Sequence, residues 1–196
     1  GQQADSGSRC YGTKVATLLQ GLARRVGRYH LGRMVPTRSD DLAAMTEALD
    51  LARRAAALGE VPVGALVVSP TGEMLGQGRN RRESDQDPTA HAEILAIREA
   101  AAKLGSWRLV DCDLFVTLEP CAMCAGAIVL ARLRRVIFGA SDPKAGFCGS
   151  LGNLVEEERL NHRVELVSGV LAEECSEALR RFFQRLRERG SGSLND

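Results

Sequence analysis

With 196 residues, 44% hydrophobic and 26% charged, the chain has the composition of an ordinary globular domain large enough to bury a substantial core. A formal net charge of +1 excludes a molecule-wide polycation, so a nucleic-acid partner would have to be met by a local basic patch. The longest apolar run, near Cys121 to Ala131, is too short to cross a bilayer, and six cysteines without regular disulfide spacing point to a reducing compartment.

Residues 1–38 stand apart. They carry Lys14, Arg24, Arg25, Arg28, Arg33 and Arg38, and after Asp5 no acidic residue occurs until Asp40. A basic N-terminal extension is expected here, either a disordered tail or sequence upstream of a start at Met34. An organelle import signal is the less favoured alternative, because no amphipathic period runs through the segment. One domain is expected over 39–189 and a flexible tail over 190–196.

Ser39-Asp40-Asp41 is a helix start, a capping side chain followed by acids in the first turn. Leu42, Met45, Leu49, Ala52 and Ala56 recur at helical spacing, and Gly59 ends the helix. Val61 to Val68 is a nearly unbroken apolar run, as expected of a strand covered on both faces. Ser69-Pro70-Thr71-Gly72 turns the chain back into a hairpin partner over Glu73 to Gln77. Arg79 to Asp87 reads as a polar loop. The next helix, His91 to Leu104, would bury Ile94, Ile97, Ala101 and Leu104, and Gly105 stops it.

Leu114 to Leu118 is a strand, followed by a helix to about Leu133 and a further strand at Val136 to Phe138. That order is a parallel crossover, and open α/β sheets keep their ligand sites outside the carboxyl ends of such strands. Ala140 to His162 is long and irregular, with a hint of helix after Asn153; such segments in compact domains are usually functional or disordered. Val164 to Val167 is a last strand. Leu171 to Arg189 is a helix with Cys175, Ala178, Leu179, Phe182 and Leu186 on one side. Its Arg180, Arg181, Arg185 and Arg187 suit either phosphate contacts or a solvated face.

Two short pieces carry chemistry: Pro88-Thr89-Ala90-His91-Ala92-Glu93 and Pro120-Cys121-Ala122-Met123-Cys124. One imidazole nitrogen and two sulfurs form the borderline-soft donor set that Zn²⁺ prefers. Three protein ligands are one short of a tetrahedron, which in a catalytic site leaves the last place to water, and Glu93 is the natural base for it. Cys121 and Cys124 share a helix face, and Pro120 suits the first helical position. His91 and Glu93 are two apart and would diverge inside a helix, so His91 is expected at a non-helical entry. A lone C-x-x-C is as readily a redox pair or a structural half-site. In combination, H-x-E and P-C-x-x-C make the signature of zinc nucleobase deaminases.

The runs Glu60-Val61-Pro62-Val63-Gly64-Ala65, Asp87 to Glu93, Thr117 to Ala127 and Asn161-His162-Arg163-Val164, with Asn80, resemble the bacterial tRNA-specific adenosine deaminases over about residues 39 to 189. The zinc motif alone is equally similar to cytidine, guanine and riboflavin-pathway deaminases. Cys121-Ala122-Met123-Cys124-Ala125-Gly126-Ala127, with Asp142-Pro143-Lys144-Ala145-Gly146 and Gly149-Ser150-Leu151, narrows it. The resemblance implies an α/β chain with a three-layer α/β/α cytidine-deaminase-like fold, built on a five-stranded mixed sheet with a β-hairpin start. It also implies a cytoplasmic homodimer that converts adenosine to inosine at the wobble position of a tRNA anticodon.

By the same resemblance His91, Cys121 and Cys124 would be Zn²⁺ ligands and Glu93 the proton shuttle. Asn80 and Val61 would meet the target nucleotide, and Asp142 and Lys144 belong to a loop expected to touch the anticodon backbone. Two rivals remain at this level. One is a deaminase of a free base or nucleoside such as guanine or cytosine. The other is a non-catalytic, zinc-stabilised RNA-binding module, which would need a fourth ligand from His162, Cys112 or Cys148 and would leave Glu93 idle. The setting of His162 before a strand fits a structural histidine better.

Overall fold

The structure is a computed structural model that describes residues 39–192; the basic extension expected over 1–38 and the end of the tail at 193–196 lie outside the described residues. Helix α1 (Ser39–Ala57) leads into the hairpin β1 (Gly64–Val68) and β2 (Met74–Arg79). A one-turn helix α2 (Arg82–Asp85) precedes α3 (Ala92–Leu104), followed by β3 (Asp113–Leu118), α4 (Ala122–Leu130) and β4 (Arg135–Ala140). The long segment after β4 ends in β5 (Glu165–Ser168), and α5 (Ala172–Gly192) closes the described chain.

The strands form one sheet in the order β2-β1-β3-β4-β5. β1 is antiparallel to both its neighbours, whereas β3, β4 and β5 run parallel. This is the five-stranded mixed sheet with a hairpin start. Strand side chains alternate between faces, and the two sets build two cores. Leu66, Phe115, Ile137 and Val167 pack with Met45, Ala48 and Leu49 of α1 and Cys175 of α5. On the opposite face Val67, Leu114, Val116, Val136 and Phe138 pack with Ala92, Ala96 and Ala100 of α3 and Ile128 of α4. Helices on both faces make three layers.

Several local expectations need correction. The strand in the apolar run Val61–Val68 begins only at Gly64, and the expected loop after Arg79 holds the turn of α2. No helix forms between Asn153 and β5; the segment is tied instead by bridges from Cys121 to Gly146 and from Cys148 to Asn153. Helix α4 stops at Leu130 rather than near Leu133, and α5 continues to Gly192, past Arg189. Of the face expected for α3, Ile97 and Ala101 pack partly buried against the core, but the fully buried positions are Ala92, Glu93, Ala96 and Ala100, and Leu104 is exposed. The reason lies in β2: a Cβ on Gly78 would sit 2.0 Å from the carbonyl oxygen of Ala92, and one on Gly76 2.3 Å from that of Ala96. Two glycines against three alanines bring strand and helix to backbone contact, leaving no room for isoleucine there.

Candidate active site

The site forms at the carboxyl ends of β3 and β4, next to the entry of β1. Three chain entries converge there. His91 is the N-cap of α3 with extended backbone (φ −77°, ψ 150°), and its N–H donates to the Thr89 carbonyl at 2.7 Å. That extended entry lets His91 and Glu93 face one cavity although they are two residues apart. Cys121 is likewise the extended N-cap of α4, and Cys124 sits in its first turn. Pro120 therefore precedes the cap instead of occupying the first helical position, because Cys121 itself supplies the non-helical residue. Gly78, closed against the carbonyl of Ala92, fixes how deeply the entry of α3 is seated.

Nδ1 of His91 lies 3.5 Å from Sγ of Cys124 and 3.7 Å from Sγ of Cys121. Metal–nitrogen and metal–sulfur bonds of about 2.0 and 2.3 Å at a tetrahedral angle put those atoms about 3.5 Å apart. The spacing and the N/S/S chemistry therefore fit a tetrahedral soft-to-borderline cation. Among the described residues these three are the one group of three or more His, Cys, Asp or Glu placed to hold a metal, their donor atoms all within 4.8 Å of one another. Cys112 and Cys148 are buried free thiols outside that group, and Nε2 of His162 lies 2.7 Å from the Leu133 carbonyl oxygen, a structural partner.

Hydrogen bonding from the Cys124 thiol, against the cost of burial and with the His91 contact adding to it, lowers the Cys121 pKa to about 3. Acting as that donor, and buried, Cys124 is pushed well above the ordinary thiol range. The Cys121 contact raises His91, with burial opposing it. Burial raises Glu93, which is 4% exposed, with the backbone N–H and His91 pulling the other way.

Beside these groups opens a cavity of about 380 Å³, within the usual range for small-ligand sites. Its walls bring together His91, Glu93 and Cys121 with Asn80, Val61, Asp142 and Lys144, so every sequence-predicted site residue but the buried Cys124 reaches it. Arg82, Ser141, Leu179 and Phe183 also line it and were not anticipated.

Two further residues escaped the sequence reading. Glu119, 3% exposed, accepts from the backbone N–H groups of Asp142 (2.9 Å), Cys148 (3.1 Å) and Ser150 (2.9 Å) and from the Ser150 hydroxyl. It thereby holds the loop that carries Asp142 and Lys144. Gly146 packs so closely on this carboxylate that a Cβ would lie 2.3 Å from its carbon. Glu60, 1% exposed, does the same for the opposite rim through Asn80, Glu83 and Ser84. The available signal was an acid embedded in an apolar run beside a strand end, since such a group needs a full set of donors.

With this geometry described, comparison with known proteins assigns the lineage. A family model for MafB19-like deaminases matches residues 39–187. The chain is 53% identical over 145 residues to the tRNA-specific adenosine deaminase of Bacillus subtilis, covering 74% of this chain and 89% of that protein. A solved structure from a study of A-to-I editing by tRNA:A34 deaminases at the wobble position of transfer RNA is 43% identical, with a TM-score of 0.67 over 70% of this chain and 99% of that one. The guanine deaminase of Nitrosomonas europaea is more distant, 25% identical with a TM-score of 0.64 over 76% of this chain and 86% of that one. This chain belongs to the deaminase family, among the tRNA-specific adenosine deaminases.

Proposed function

We propose that the protein hydrolyses adenosine to inosine at the wobble position of a tRNA anticodon, with Zn²⁺ held by His91, Cys121 and Cys124. The observation that carries this reading is the cavity itself: a three-donor metal group and a buried carboxylate on one wall, with an amide and a lysine-bearing loop on the others. The identity to the B. subtilis enzyme supports the choice of adenosine in tRNA over a free base. Zn²⁺ in this site supplies Lewis-acid activation of a water molecule near neutral pH.

Glu93 takes a proton from that water and gives it to N1 of the purine, which makes C6 electrophilic. Once the oxygen has added to C6, Glu93 carries the second proton to the amino group. The C6–N6 bond then breaks and ammonia leaves, so one water is consumed for each amine released. One carboxylate serves both transfers because it ends as it began. Burial of Glu93, by favouring its protonated form, suits a group that must hold a proton between the two steps. Asn80 and Val61 seat the nucleotide, and the Asp142–Lys144 loop meets the RNA backbone. Extruding the base costs least from a single-stranded loop.

A homodimer follows from the same reading; the exposed Met123 and Leu130 of α4 and Leu151 offer apolar surface for it. Cytoplasmic location is in keeping with the five free thiols among the described residues. Among those residues no helix is long and apolar enough to cross a membrane. The test is incubation of the zinc-loaded protein with an anticodon stem-loop carrying adenosine at the wobble position, beside free guanine, cytosine and adenosine. Inosine in the stem-loop is expected. Ammonia from a free base with no inosine in the RNA would replace this reading with the small-molecule one.

A further inference from the structure

We propose that Glu60 is a positioning residue that fixes the amide of Asn80, so that its Oδ1 faces the cavity as a hydrogen-bond acceptor for the target nucleotide. This rests on the nucleotide reading of the cavity given above. An asparagine amide is a donor at one end and an acceptor at the other, and the two orientations are nearly isosteric. What chooses between them is the neighbour. Nδ2 of Asn80 donates to Oε2 of Glu60 at 3.2 Å, and the backbone N–H of Asn80 is held by the Val63 carbonyl at 2.9 Å. Only rotation of the amide is left free by the backbone, and Glu60 removes that freedom.

Glu60 is suited to this role because it stays an acceptor. Burial pushes its carboxyl up, but the Ser84 hydroxyl and the N–H groups of Ser84 and Glu83 outweigh it and hold it below the ordinary range. Those bonds are 2.7, 2.6 and 3.3 Å long. An ionised carboxylate has no hydrogen to give, so the turned amide would set Oδ1 against a carboxylate oxygen at contact distance. Among the described residues no buried side-chain polar atom lacks a partner, and Oδ1 makes no hydrogen bond within the protein. Oδ1 is therefore not sealed, and Asn80, only 6% exposed, lines the cavity. The pocket presents an acceptor there, selecting a hydroxyl or N–H on the nucleotide.

The substitution that reads this out is Glu60→Gln. Its carbonyl can still serve Ser84, but its NH₂ then meets both donors now bonded to Oε2, the Glu83 N–H and Nδ2 of Asn80, and the relief at Asn80 is a turned amide that offers a donor to the cavity. Against the anticodon stem-loop, E60Q should lose about ten- to a hundredfold in kcat/KM, mainly through KM, with zinc content near wild type; the lost Glu83 bond should lower the melting temperature of E60Q and of any double variant alike. Asn80→Asp should lose activity too, by placing two carboxylates in contact. In E60Q/N80D the two groups exchange chemistry: the introduced amide donates to one oxygen of the introduced carboxylate and leaves the other oxygen facing the cavity. There kcat/KM should rise at least about tenfold above the worse single variant.

E60Q with wild-type kcat/KM, or a double variant no better than the worse single, overturns the proposal. Should E60Q fail to fold, the comparison of N80D with the double variant decides in the same sense. Absence of inosine from the wild-type reaction would instead overturn the function, leaving the Glu60–Asn80 bond to be judged on whichever nucleoside the protein does turn over.

Discussion

Glu93 is the residue whose surroundings best define its task. It stands in the first turn of α3, 4% exposed, against a cavity wall shared with His91 and Cys121. Among the described residues no arginine pairs with it, and a carboxylate buried this deeply without one is poorly explained by stability, because desolvation opposes its charge. Substitution should therefore separate chemistry from architecture. Glu93→Gln keeps the shape and removes the proton carrier, so kcat should fall by about two to four orders of magnitude while zinc content stays at the wild-type level. Metal analysis beside single-turnover inosine formation reads both quantities from one preparation. Activity near wild type would remove Glu93 from its role, and lost zinc would make it a ligand. These residues were legible in the sequence because each motif is local: a cap, a first turn, a fixed spacing. Glu60 and Glu119 were not, because their partners lie 20 to 31 residues away along the chain.

At the scale of elements, the sheet is tied to α1 at the end remote from the cavity. Arg135 of β4, 5% exposed in its side chain, reaches Asp113 of β3 at 2.6 Å and Asp41 of α1 at 2.9 Å, and Arg134 joins Asp113 from the surface at 2.7 Å. Removing the shared cation leaves buried carboxylates without it, which costs far more than the pair contributed on forming. Arg135→Met should lower unfolding free energy by about 3–5 kcal/mol in urea titrations at pH 7. Burial raises the Asp113 carboxyl, yet hydrogen bonds from Arg134 and Arg135 outweigh it and hold the folded value below the ordinary 3.8. A depressed acid contributes stability in full above its unfolded pKa and loses it as pH falls through the folded one. Wild-type stability should thus decline below about pH 4 partly through Asp113, and less steeply in the variant. The hairpin was readable from the Ser69-Pro70-Thr71-Gly72 turn after an apolar run, and the crossover from strand–helix–strand order. The seating of α3 was not, since Ala92, Ala96 and Ala100 are buried only because Gly76 and Gly78 face them. A pair of small surfaces leaves no trace in the periodicity of either segment.

For the whole molecule the question is how a chain of net charge +1 holds a polyanion. Charge placement answers it better than charge sum. Arg82 stands on the α2 turn held by Glu60 and Lys144 on the loop held by Glu119, at opposite rims of the cavity. Beyond Val61 and Pro62, a second groove of about 530 Å³ between α1 and α5 is lined by Arg53, Arg181, Arg185 and Arg189 above Phe182 and Leu186. Two of these arginines are already tied, Arg53 to Asp50 and Arg181 to Glu177. Lys144 is the cleaner probe, because its loop is fixed by Glu119 and by the Asp142 carboxylate accepting from the Lys144 N–H at 2.9 Å. The charge can be removed without releasing the loop. If this rim meets phosphate, log Kd for the stem-loop should rise linearly with log salt, and Lys144→Ala should reduce that slope by about one. Fluorescence anisotropy at several salt concentrations measures it, with zinc content as the control for folding. A slope unchanged by the substitution would place the RNA backbone elsewhere, and binding indifferent to salt would leave the cavity serving a free nucleoside.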